Sequence, residues 1–144
     1  MGKRRKAREL TTQILFHMEF SPGSPDEVFE LICQNFDSSE SIRVFSRELV
    51  YGVCDNREYL DEKIRQSSKN WRLERMSRVD RSILRLGAFE LLFLKEIPPK
   101  VSIDEAVELG KRFGSEDSGA FINGVLDNIF NNMKSEEPIS DEEK

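Results

Sequence analysis

Residues 77–94 read SRVDRSILRLGAFELLFL, and this stretch decides the fold. Ser77 with Asp80 three positions on is a helix start signal. A seryl oxygen accepts from one of the first unpaired backbone N–H groups, and an early acid suits the positive end of the helix dipole. Val79, Ile83, Leu84, Leu86, Leu91, Leu92 and Leu94 follow at helical spacing. In the second half apolar residues cover most of the circumference, a pattern that suits a helix surrounded by neighbours. The stretch therefore predicts the central helix of an all-α protein. Gly87 costs about 1 kcal/mol relative to alanine in a helix, so its presence predicts a close approach by another element.

Outward from this centre, helical signals recur and no strand-period alternation bounded by turns is found. A first helix is predicted from about Arg4 to Phe20, with Ala7, Leu10, Ile14 and Met18 as one buried stripe. A second is capped by Ser24, with Pro25 in its first turn, Glu27 completing a capping box, and Val28, Leu31, Ile32 and Phe36 as its apolar set. A third runs from about Ser41 to Cys54. A fourth starts at Asn56 and reaches about Ser68, continuous with the third as one bent helix or separate from it. NWRLERMS, residues 70–77, is a connector. Beyond the central helix, IPPK stops the pattern, Ser102 with Glu105 predicts the cap of a sixth helix ending at Gly114, and a seventh spans about Ser118 to Met133. Seven helices over residues 1–133 make one domain, and the acidic remainder, 134–144, is expected to be disordered.

Charge is distributed unevenly. The 144 residues carry a formal charge of −5, yet five of the six residues from Lys3 to Arg8 are basic, and residues 135–144 carry −4. An acidic body repels nucleic acid, so any such binding must be confined to a patch. Cys33 and Cys54 lie in apolar helical patterns without CxxC spacing and read as reduced core residues, consistent with the cytoplasm. No apolar run reaches the roughly 20 residues that span a bilayer, so no membrane association is expected.

Catalytic chemistry is poorly supplied. His17 is the only histidine, which excludes a histidine-based triad or histidine cluster, and no glycine-rich phosphate loop is present. No enzyme activity, metal or cofactor is expected. Two other stretches attract attention. On the first helix Phe16 falls nearly opposite the apolar stripe, with Arg5, Glu9, Thr12, Gln13 and Phe20 on its side. Unpaired RNA is held by such a combination of cations on phosphates and rings against bases, although periodicity alone favours a solvated tail and packed phenylalanines. In KRFGSEDSGAF, residues 111–121, Phe113 and Phe121 flank a polar loop at a helix start, which fits a nucleotide site, although the pattern alone favours a helix corner with core phenylalanines.

RRKAREL, VDRSILRLGAFELL, KVSIDEAVELGKRFGSEDS and FINGVLD together resemble the NusB family of bacterial transcription antitermination factors. The resemblance runs from about Arg4 to Met133 and is weakest between Pro22 and Arg43. It implies a NusB-like fold of two packed helical halves. It implies binding to single-stranded boxA RNA of ribosomal RNA leaders, together with the ribosomal protein NusE, in a complex that loads onto RNA polymerase and promotes read-through. Carried over residue by residue, Lys3, Arg4, Arg5, Lys6 and Arg8 correspond to the basic RNA-binding segment. Phe16, with Gln13 nearby, takes the place of the aromatic on the first helix, often tyrosine in relatives. Phe113, Asp117 and Phe121 correspond to the second RNA-contact region, and Glu74 and Asp80 to the acidic surface that meets NusE. The resemblance is compatible with monomers and with homodimers. Some RNA methyltransferases carry a domain of this kind, but this chain stops before any nucleotide-binding domain, so methylation is not expected. The alternative to RNA binding is a helical protein-interaction module whose basic arm is incidental.

Overall fold

A computed structural model of the chain describes residues 2–20, 23–34, 39–69 and 71–136. Among them the regular structure is helical throughout: α1 Lys3–Phe20, α2 Pro25–Gln34, α3 Glu40–Asp55, α4 Arg57–Ser67, a single 3-10 turn at Leu73–Arg75, α5 Arg78–Phe93, α6 Pro99–Phe113 and α7 Ser118–Glu136. Phe36 and residues 137–144 of the acidic tail fall outside the described residues. Residues 134–136, assigned from sequence to that tail, continue α7 instead.

The helix starts read from sequence differ in how they are satisfied. Ser24 and Glu27 form a reciprocal capping box, each side chain accepting from the other's backbone N–H. Ser77 accepts from Asp80 N at 3.0 Å. Asn56 works in the opposite direction: its side chain donates to Gly52 O and so closes the end of α3, separating it from α4. Ser102 is not a cap. The sixth helix begins three residues earlier at Pro99, whose fixed φ and missing N–H suit a first-turn position. Ser102 and Glu105 are thereby freed for tertiary contacts.

Two apolar clusters define two halves. Leu10, Ile14, Val28, Phe29, Ile42 and Val50 join α1, α2 and α3. The larger cluster joins α4 to α7 around α5, with Leu49 and Val53 of α3 entering it. Phe45 packs against both. All ten residues from Ser82 to Leu91 are buried, as the apolar circumference of α5 predicts. At Gly87 a methyl group would meet Leu126 of α7 at 2.7 Å, so the glycine allows the α5–α7 approach. Leu31, assigned to the apolar set of α2, is 48% exposed. Both cysteines are reduced thiols, and burial pushes each above its ordinary pKa.

Buried ions tie the halves together. Arg8 is 3% exposed and donates to both oxygens of Glu90, at 2.7 and 2.9 Å, while Ser102 Oγ donates to Glu90 at 2.8 Å. Arg85 bridges Asp61 of α4 and Glu19 of α1. Arg81 donates to both oxygens of Glu19 and, through its other terminal nitrogen, to the carbonyls of Leu73, Glu74 and Met76 at 3.3–3.5 Å. The connector before α5 is thus fastened to the C-terminal end of α1.

Candidate nucleic-acid interface

The basic block divides by helical position. Lys3, Arg4 and Lys6 are exposed, and the Arg4 guanidinium lies 4.7 Å from the Phe45 ring centroid. Arg5 is half-buried and forms a two-point contact with Glu105 at 3.0 and 2.7 Å. That hydrogen bonding raises the Arg5 pKa and holds the Glu105 carboxyl below the usual carboxylate range. Arg8 departs from its assignment as an RNA-binding residue. It faces inward because it lies one residue after Ala7 on the buried side of α1, and Glu90 saturates its fork. Thr12, placed from periodicity on the Phe16 side, is also buried and donates to Arg8 O.

An outer face begins where α1 meets α6. Arg112 lies 3.6 Å from Glu9, which sets the last turn of α6 beside the second turn of α1. Along the same face of α1 follow Gln13, which is exposed, then Phe16 and Phe20 in edge contact at 5.0 Å. Phe20 is 57% exposed, and the Arg78 guanidinium sits 4.5 Å from its centroid. Beyond Arg112 the chain turns through Phe113 and exposed Asp117 into α7, where Phe121 meets Trp71 edge-on at 6.1 Å.

Trp71, Arg75, Asp80, Ser115, Asp117 and Phe121 line a pocket of about 200 Å³. The structure therefore brings Asp117 and Phe121 together with Asp80, while Glu74 lies on the adjoining 3-10 turn, 71% exposed and 3.7 Å from Arg65. Asp80 Oδ1 is the one buried side-chain oxygen or nitrogen among the described residues without a hydrogen-bond partner. The sequence reading missed Trp71, Arg75, Arg78 and Arg112. The available signal was the chain's only tryptophan in an otherwise polar connector, interleaved with arginines.

Fold and surface define a helical binding protein whose distinguishing face alternates rings with guanidinium groups. The chain belongs to the NusB family, whose model matches residues 5–131. It is similar to the transcription antitermination protein NusB of Desulforapulum autotrophicum, 53% identical over 131 residues, covering 90% of this chain and 92% of that one. The corresponding protein of Desulfatibacillum aliphaticivorans is 47% identical over 137 residues, covering 95% and 96%. Among solved structures, NusB of T. maritima superposes with a TM-score of 0.82 at 37% identity, covering 98% of this chain and 97% of that one. A structure of antitermination factors NusB and NusE in complex with dsRNA superposes at 0.83 with 28% identity, covering 92% and 98%. The protein is a non-catalytic transcription antitermination factor. None of its described helices is long and apolar enough to cross a membrane.

Proposed function

We propose that the protein binds single-stranded boxA RNA of ribosomal RNA leaders together with NusE, and that the complex joins RNA polymerase and promotes read-through. The observation that carries this reading is the set of exposed rings interleaved with arginines: Trp71 and Phe20 are each 57% exposed, beside Arg75 and Arg78. Bases inside a duplex are stacked on each other and cannot reach such rings, whereas unpaired bases can. Lys3, Arg4, Arg5 and Lys6 supply charge for phosphates. Arg8 acts indirectly, by fixing the helix that carries them. Phe16, Phe113 and Phe121 supply stacking surface, with Gln13 and Asp117 as hydrogen-bonding groups. A relative in complex with NusE and dsRNA supports NusE and RNA as partners, while the unpaired form of the RNA rests on the exposed rings alone.

Glu74 and Asp80 form the acidic edge offered to NusE. Photo-cross-linking with 4-thiouridine boxA RNA tests the assignment: adducts are expected at Trp71, Phe121 or Phe16. Adducts confined to surfaces away from these rings, or none, would overturn it.

A further inference from the structure

Between the basic block and the rings of the outer face lies a seam that is not basic. Where α1 meets α6, a depression of about 110 Å³ is lined by Arg5, Glu9, Glu105, Glu108, Leu109 and Arg112, so that three carboxylates meet two guanidinium groups. Glu108 is answered on its own helix by Lys111 at 3.5 Å. The other two acids reach across the seam. Glu105 accepts from Arg5 at 2.7 and 3.0 Å and lies 3.8 Å from the buried Arg8, while Glu9 lies 3.6 Å from Arg112. The Glu105 and Glu9 side chains are 17% and 15% exposed, against 38% and 63% for Arg5 and Arg112. The acids are thus anchored in the seam, and the guanidinium groups cap it from the solvent side.

We propose that Glu105 and Glu9 set the strength of RNA binding, by holding Arg5 and Arg112 against phosphate. The inference rests on the RNA reading above and adds an opposing element to it. A phosphate that takes Arg5 breaks a two-point contact and leaves the anchored Glu105 carboxylate beside the incoming charge. Both effects weaken binding, and both act on the phosphate backbone, so they weaken every sequence alike. The remaining affinity has to come from bases on rings or from a partner's cations. Binding then depends on the right strand and on NusE, because the repulsive element removes the excess that would hold any strand. The opposite role for Glu105, aiming Arg5 at phosphate, predicts the opposite sign in the test.

Single-stranded boxA RNA and a scrambled strand are titrated against the full chain at several salt concentrations, with thermal melts to check the fold. Glu105→Gln removes the charge and keeps the shape. It is expected to tighten both strands about threefold or more, and to steepen the slope of log K against log salt by about 0.7, the share of one further phosphate. Asp104→Asn makes the same change of net charge one position away, at an exposed site paired with Lys100, and is expected to act much less. Arg5→Gln is expected to abolish the gain in the Glu105→Gln background, which shows that the gain passes through Arg5. Glu9→Gln, which releases Arg112, is expected to act in the same direction and replaces Glu105→Gln should that variant fail to fold. Unchanged or weaker binding by the glutamine variants overturns the proposal. So does an equal gain from Asp104→Asn, a gain that survives without Arg5, or a gain confined to boxA, which would set Glu105 against a base. A parent chain that binds neither strand even with NusE overturns the RNA reading and this one with it. A parent that binds while the variants gain nothing overturns this one alone.

Discussion

Arg8→Ala separates the structural from the RNA-binding part of the basic block. The Arg8 and Glu90 side chains are 3% and 2% exposed, and the arginine supplies two of the three side-chain donors on the glutamate. Removing it leaves a buried carboxylate with only Ser102, and breaking such a pair costs about 3–5 kcal/mol. For a chain of this size that corresponds to a fall in Tm of about 10–20 °C. Arg8→Met with Glu90→Leu removes both charges and is expected to recover much of the loss. Lys3→Gln and Lys6→Gln, at exposed positions, are expected to change stability by no more than about 0.5 kcal/mol. Each is expected instead to reduce the slope of log K against log salt for single-stranded RNA by about 0.7. Thermal melts followed by circular dichroism, with RNA titrations at several salt concentrations, give both quantities. If Arg8→Ala melts within a degree or two of the parent while lowering the salt slope as the lysine variants do, Arg8 contacts phosphate and the reasoning is refuted.

Trp71→Ala and Phe121→Ala are each expected to weaken RNA binding by about 1–3 kcal/mol with helical content retained, read by titration and circular dichroism. Unchanged affinity would remove the pocket from the RNA path. Arg81→Gln releases three connector carbonyls and Glu19, and is expected to shift the emission of Trp71, the chain's only tryptophan. An unchanged spectrum would show that Arg81 does not position the connector. Acid stability follows from Glu19 and Glu105. Burial alone would raise the Glu19 carboxyl, but Arg81 and Arg85 outweigh it, and both glutamates end below their usual value. Their contribution is present above the unfolded value of about 4.3 and lost as pH falls through the lower folded values. Urea midpoints are therefore expected to hold from neutrality to about pH 5 and decline below about pH 4, with a flatter acid limb for Glu19→Gln plus Glu105→Gln. A decline already complete by pH 5 would contradict this.

Much of the architecture was legible because periodicity reports burial. The apolar circumference of residues 83–94 placed α5 at the centre, and Ser24 and Ser77 marked helix starts that the structure reproduces. Short-range signals failed where tertiary contacts claimed the same residues. Ser102 and Glu105 have capping-box spacing, but Pro99 starts the helix and both side chains turn to Glu90 and Arg5. The basic block looked uniform in sequence, yet helical geometry sends Arg8 inward and leaves Lys3, Arg4 and Lys6 outside. Trp71 escaped notice because a connector has no period from which to judge its exposure. Its contact with Phe121 spans fifty positions and exists only in the fold.

The central claim is that the ring-and-arginine face grips unpaired RNA in concert with a basic partner. It is tested most directly by titrating boxA RNA and a scrambled strand with the protein alone and with NusE, at two salt concentrations. Weak, salt-sensitive binding by the protein alone, tightened by NusE and selective for boxA, is the expected result. Full-strength binding without NusE, or equal binding of both strands in its presence, would contradict the account.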